Sequence, residues 1–224
     1  MGAVKLYKYL DFNGGLMMLY HSNLQFTNAT QLNDPFDCHP SLIDFSNVPK
    51  EACGGWTPEI IEELRRDPFR RTREEVWICS LSKIHDSILM WSYYSKHKGI
   101  CVGLDMEKAQ KYLSRIYGKI MISCSVVEVQ YKDIVEKPDY FRDAKDFFHY
   151  QLSTKAKAWE HEQEVRLFIL DPWPTYMSLL PRQNDDKGPI DWKEVRAFSE
   201  IGGECFESVY LGINTVSYTH LRAH

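Results

Sequence analysis

Two stretches of the chain concentrate side chains that could do chemistry, and they differ in sign. In KAWEHEQEVR, residues 157–166, Glu160, Glu162 and Glu164 precede Arg166. Alternate residues of an extended strand share a face, so Glu162, Glu164 and Arg166 are expected to converge opposite Val165 and Leu167. Clustered carboxylates raise one another's pKa, while a neighbouring guanidinium keeps one ionised. Such a set suits general-base work or stabilisation of a cationic centre, with Glu162 and Glu164 as catalytic candidates and Arg166 as a ligand-binding one. The competing structural reading is a Glu–Arg pair on an exposed strand face, where an ion pair contributes little.

The second stretch, MWSYYSKHKG at residues 90–99, is aromatic and cationic. Trp91 and Tyr94 offer a stacking face for a base, and Lys96, His97 and Lys98 form a turn suited to a phosphate or carboxylate. Gly99 is expected to permit a positive φ and close approach of a ligand to the backbone. The competing reading packs Trp91 and Tyr94 in the core, makes Gly99 a helix terminator and leaves the lysines solvated. Shorter sets complete the candidates: Ser80 and Ser82 in WICSLS, Lys8 near the N-terminus, and Asn33 and Asp34 in NDPFD.

A mixed series of strands and helices must position these groups. Alternation over residues 4–10 predicts a first strand, followed by a short helix near 16–20 and an extended piece at 23–27. In NDPFD, Asn33 and Asp34 before Pro35 favour a tight turn, with Phe36 expected to anchor it to the core. Residues 41–55 lack periodicity and read as loop. Thr57-Pro58-Glu59 starts a helix that runs to about residue 66. Residues 77–82 read as a buried strand, Asp86 as the cap of a helix over 87–94, and 100–104 as the next strand. Asp105 is expected to cap a helix to about residue 117, before a long β segment over 119–131. The clearest helix is predicted over 140–159, where Phe141, Ala144, Phe148, Leu152 and Ala156 recur at three or four. Residues 165–169 alternate as a strand, 171–191 read as a mobile loop, and 208–213 as a final strand. The order predicts one α+β domain over residues 1–215, its mixed or antiparallel sheet flanked by helices.

At 224 residues, with 44% hydrophobic and 13% aromatic residues, the chain can bury one sizeable core. A net charge of -4 provides no global positive field, so nucleic acid is not an expected partner. Arg65, Arg66, Arg70, Arg71 and Arg73 fall on a helical stretch beside Glu62, Glu63, Glu74 and Glu75 and read as a solvated mixed-charge face. No apolar run reaches the roughly 18 residues of a membrane span, and the N-terminus has no signal-peptide core. Leu6 stands where a myristoylation signal following Gly2 needs Ser or Thr. The six cysteines include no CxxC pair. Cys79, Cys101 and Cys124 fall in apolar runs, which points to reduced thiols in a cytoplasmic protein. Cys38, His39 and Cys53 lack the paired spacing of a zinc site, so no metal ligand is assigned. The last nine residues, VSYTHLRAH, resemble a translated sequencing-library adaptor. Residues 216–224 are therefore read as a non-native tail, which removes His220 and His224 from any site.

LYKY, LQFTNATQLNDPFD, SLS followed by LMWSYYSKHKGICVGLD, TKAKAWEHEQEVRLF and VYLG occur in that order. Together they resemble the bacterial family called domain of unknown function 2971, over residues from Leu6 to about Gly212. The resemblance implies a fold more than a reaction. In the order of shorter motifs the chain is also similar to NAD-using ADP-ribosyltransferases, which carry an Arg strand, a Ser-x-Ser strand and a Glu-x-Glu strand. Lys5 or Lys8, Ser80-Leu81-Ser82 and Glu162-Gln163-Glu164 stand at those places, with lysine in place of the arginine. That similarity implies NAD⁺ as substrate. Glu164 would then stabilise an oxocarbenium-like ribosyl centre, Ser80 would support the ribose, and Lys8 or the Lys96–Lys98 turn would hold the pyrophosphate.

Two classes of function follow. One is an enzyme acting on a nucleotide, with NAD⁺ the candidate substrate and Glu164, Ser80 and the cationic turn facing one cleft. The other is a non-catalytic ligand-sensing or partner-binding module, in a stress or phage-defence setting. A Mg²⁺-dependent nuclease using Asp34, Asp37 and Glu164 is a further alternative.

Overall fold

The computed structural model describes residues 4–48, 57–63, 73, 75–118, 124–170 and 196–215. The strands are β1 (Lys5–Leu10), β2 (Asn23–Asn28), β3 (Val76–Ser82), β4 (Ile100–Asp105), β5 (Cys124–Glu128), β6 (Gln130–Lys132), β7 (Thr154–Ala156), β8 (Glu164–Leu170), β9 (Arg196–Glu200) and β10 (Phe206–Leu211). The helices that pack on them are α1 (Phe12–His21), α2 (Ile88–Ser95), α3 (Met106–Gly118) and α4 (Phe147–Ser153). Eight strands form one sheet in the order β10-β4-β1-β3-β2-β9, with β8 beside β3 and β5 beside β8. The pairs in this sheet are antiparallel, while β6 and β7 form a separate parallel ribbon. The fold is α+β, as the element order predicts.

The sheet forks at β3. Strand β8 runs beside its whole length, from Val76↔Leu170 to Ser82↔Glu164. The opposite edge of β3 is divided between β2, which pairs at Trp77 and Ile78, and β1, which pairs at Ser82. Between them, residues 79–81 pair with no strand on that edge among the described residues. A backbone carbonyl there needs another donor, and Lys8 Nζ donates to Ser80 O at 2.8 Å. The side chains of β1, β2 and β3 line the opening that the fork creates.

Helices α1 and α3 cover one face of the sheet, where Leu6, Leu24, Phe26, Cys79, Leu81, Val102, Leu104, Val165, Leu167 and Ile169 share one apolar cluster. On the other face Met90 of α2 packs with Tyr9 and Cys101, and Leu152 of α4 packs with Ile78 and Val127. Strand β8 is therefore covered on both sides, the condition in which a strand loses its polar outward face. Glu164 and Arg166 point away from Val165 and Leu167, as expected, but into protein and not into water. Both are buried.

Several elements differ from expectation for identifiable reasons. The helix predicted over 140–159 is confined to α4. Upstream of it, Asp139 accepts the N–H of Phe141, Asp143 that of Asp139, and Asp146 that of His149. Short acidic side chains thus capture the N–H groups that a longer helix would need. Phe141 then packs with Phe45 and Tyr140 in a separate cluster. Beyond Ser153 the chain extends to pair with β6. The cap of α2 is Ser87, whose Oγ accepts from Met90 N, and not Asp86. Phe36 does not anchor its turn to the core; it is 68% exposed. Strand β5 ends at Glu128, and Gln130–Lys132 joins the second ribbon in place of one long segment.

Gly99 has a different role from the one expected. The positive φ values belong to Lys96 and His97, at 50° and 57°. A Cβ on Gly99 would lie 2.0 Å from Leu10 O and 2.5 Å from Ser95 Cβ. Glycine is required there because β1, and not a ligand, approaches the backbone.

Residues 58–63 are helical and start behind Thr57, whose Oγ1 accepts from Ile60 N. The continuation of that helix, Cys53, most of the arginine-rich stretch, the loop over 171–191 and the tail over 216–224 lie outside the described residues. Cys38, Cys79, Cys101, Cys124 and Cys205 are free thiols. Among the described residues no helix is long and apolar enough to cross a membrane.

Candidate functional site

Arg166 is the largest fully buried side chain of the described residues. Its Nε donates to Glu164 Oε1 at 2.9 Å, and Nη2 to Glu164 Oε2 at 2.9 Å and Asp37 Oδ2 at 2.6 Å. Nη1 donates to Asp37 Oδ1 at 2.8 Å and to the Leu152 carbonyl at 2.9 Å. All five guanidinium donors are met, which is what makes a charge tolerable at this depth. Beside it the ammonium of Lys155 lies 2.6 Å from Glu162, 3.1 Å from Glu164 and 3.5 Å from Asp37. In formal charge, three carboxylates face two cations.

The network continues toward the surface through the aromatic motif. The Tyr94 hydroxyl donates to Glu162 Oε1 and accepts from Asn33 Nδ2 at 3.0 Å. Ser82 Oγ donates to the Glu162 carbonyl at 2.7 Å, and Tyr131 Oη accepts the Glu164 N–H at 2.8 Å. Gln163, at φ 44°, forms the kink between the two glutamates. Glu162 therefore ends a short 3₁₀ segment (Lys157–Glu162), and only Glu164 and Arg166 belong to β8.

Burial alone would push the Glu164 carboxyl up, but Arg166 and then Lys155 overcome it and hold the group below the usual carboxylate range. For Lys155, burial acts downward, and Glu164 and Asp37 reverse it to a net rise. Burial, followed by the charge of Glu162, pushes the Tyr94 phenol up. Burial also pushes Tyr131 up to about 12. Glu164 is thus a fixed anion and Lys155 a fixed cation near neutral pH, so neither is tuned for proton transfer.

A cavity of about 350 Å³ opens into the fork of the sheet, above this network. Its lining includes Tyr7, Lys8 and Tyr9 from β1, Ser80 and Ser82 from β3, Asn33, Tyr94, Arg196, and the network residues Asp37, Lys155, Glu162 and Glu164. The volume is at the small end of ligand pockets.

Residues 90–167 match the family model described as Protein of unknown function (DUF2971). Over this segment the chain is similar to that family. No curated protein and no solved structure matches the chain. The matching segment spans both motifs and contributes Tyr94, Lys155, Glu162, Glu164 and Arg166 to the site. Lys8, Asn33, Asp37, Ser80 and Ser82 come from the chain before it.

Of the candidates read from sequence, Lys8, Asn33, Ser80, Ser82, Tyr94, Glu162 and Glu164 line the one cavity, and Arg166 supports it from beneath. Asp34 lines a second cavity instead. Trp91 donates its indole N–H to the His85 carbonyl and meets Tyr9 edge-on, a packing role. His97 and Lys98 do not line the forked-sheet cavity. Their turn lies against the end of β10, where Asn214 N donates to His97 O. The cleft expected between Glu164, Ser80 and the cationic turn therefore contains the first two only. Asp37 and Glu164, two of the oxygens considered for Mg²⁺, close on Arg166. Among the described residues no group of three or more His, Cys, Asp or Glu side chains is placed to hold a metal.

Sequence reasoning missed Lys155 and Arg196, and considered Asp37 only for Mg²⁺, not as the partner of Arg166. Asp37 and Lys155 belong to NDPFD and TKAKAWEHEQEVR, but local spacing gives no sign that the two meet. Arg196 opens a strand that the pattern did not reveal.

Proposed function

We propose that the protein binds a nucleotide-class small molecule in the forked-sheet cavity, with NAD⁺ as the named candidate. The observation that carries this reading is the convergence of Lys8, Asn33, Ser80, Ser82, Tyr94, Glu162 and Glu164 on one cavity. Hydroxyl, amide and carboxylate groups of this kind suit the hydroxyls of a ribose. Lys8 and Arg196 supply positive charge for a phosphate.

In its enzymatic form the reading is cleavage of the nicotinamide–ribose bond, of ADP-ribosyltransferase or NAD glycohydrolase type. The bond from ribose C1′ to the ring nitrogen breaks, and its electron pair leaves with nicotinamide. Water or an acceptor nucleophile then forms the new bond to C1′ and loses its proton. Glu162 and Glu164 favour the positive charge that develops at C1′. A second reading, a ligand-sensing module without catalysis, draws support from Glu164 itself. Both of its oxygens are already met by Arg166 and one also by Lys155, which offsets the charge available to a ligand.

Thermal unfolding with NAD⁺ and ADP-ribose, together with chromatographic assay of nicotinamide release, tests both forms in wild type, Glu162→Gln and Ser80→Ala. A ligand-dependent shift with release that Glu162→Gln abolishes supports the enzyme. A shift without release supports the sensor. Neither shift nor release in the wild type overturns the nucleotide reading.

A further inference from the structure

A second cavity, of about 320 Å³, shares Asp37 and Lys155 with the first and is otherwise lined by different residues, among them Asp34, Phe36 and Trp159. Three features of its lining bear on what it could hold. Asp34 is only 7% exposed. Its Oδ1 accepts the Phe36 N–H at 2.9 Å, but Oδ2 has no hydrogen-bond partner among the described residues. An acceptor oxygen that lines a cavity and meets no protein donor is open to a ligand N–H.

Phe36 is the second feature. Asp34 and Asp37 close its turn through Asp37 N→Asp34 O at 3.1 Å, and His39 N→Phe36 O at 3.1 Å fixes the exit. The turn therefore holds a large apolar ring in solvent at the rim of the cavity. The third is Trp159, a half-buried wall whose ring centroid lies 5.1 Å from Lys155 Nζ. Two aromatic rings and one open carboxylate oxygen select a flat ligand with a donor at its edge.

We propose that this second cavity binds a planar heteroaromatic ring bearing an exocyclic amino group, of the aminopurine class. The ring lies against Trp159 with Phe36 at the rim, and the amino N–H donates to Asp34 Oδ2. Asp34, Phe36 and Trp159 do not line the forked-sheet cavity, so substitutions at these positions report on the second cavity.

Calorimetric titration of the full chain with adenosine and with purine riboside, which lacks the amino group, tests it. Adenosine is expected to bind about tenfold tighter or more, the worth of one hydrogen bond to a charged acceptor. Asp34→Asn keeps an oxygen to accept the Phe36 N–H, so the turn survives, but the adenosine preference collapses. Trp159→Leu weakens both ligands by about tenfold. Equal affinity for the two ligands overturns the proposal, as does no binding of adenosine. So does binding that Ser80→Ala abolishes and Asp34→Asn leaves intact, since the ring then occupies the forked-sheet cavity.

Discussion

Arg166 and Asp37 stand 129 residues apart in the chain and meet as a fork, Nη1 to Oδ1 at 2.8 Å and Nη2 to Oδ2 at 2.6 Å. Neither side chain is open to water. The pair ties the NDPFD turn to β8, and because Glu164 takes the remaining edge of the guanidinium, it fixes the floor of the forked-sheet cavity.

Arg166→Lys tests how far that geometry depends on the fork. Lysine keeps the charge but cannot reach two carboxylates in a plane. It should cost about 3–5 kcal/mol, as does breaking a buried pair. The readout is a lower urea midpoint at unchanged slope, and an unaltered midpoint would show that the fork contributes nothing.

Acid stability should report Glu164. Its folded-state pKa lies below the unfolded value, so its contribution is full above that value and is lost as pH falls toward the folded one. The wild-type urea midpoint should hold down to about pH 5 and fall below it, while Glu164→Gln starts lower and falls less steeply. Parallel acid limbs for the two proteins would remove Glu164 from the account.

Tyr94→Phe removes the hydroxyl that joins Asn33 to Glu162 and leaves Glu162 Oε1 without its donor. A loss of about 1–3 kcal/mol is expected. Asn33→Ala should cost less, because Tyr94 can still donate to Glu162. The order of the two urea midpoints decides the point.

Gly99→Ala and Lys96→Gly should have opposite signs although only three positions separate them. The alanine Cβ would collide with Leu10 O, at a cost of about 1–3 kcal/mol. Lys96 caps α2 at φ 50°, so glycine there relieves strain and adds about 1 kcal/mol. Melting temperatures of both variants measure this directly.

Much of the sheet was legible in the sequence because strands such as ICVGLD and VWICSLS are compact apolar runs between polar turns. The acidic motif was legible as chemistry, since Glu162, Glu164 and Arg166 announce themselves by type. Their burial was not, because alternation in β8 has the same appearance whether its second face meets water or α4. Lys155 looked like one of many lysines, and its partners are set by the 3₁₀ turn that brings Glu162 back over it. The long helix failed because apolar spacing at three and four outweighed Asp139, Asp143 and Asp146, whose side chains compete for the same N–H groups. The fork at β3 depends on which strands share an edge, and no local pattern encodes that.

The site also sets the size of the unit that can fold. A fragment cut at the family boundaries, residues 90–167, would keep β8 and its charges but lose β3, the strand along its whole length. Arg166 would retain Glu164 and forfeit Asp37, and the apolar side of β8 would face solvent. The family signature is therefore smaller than the cooperative unit, and such a fragment should remain unfolded in isolation.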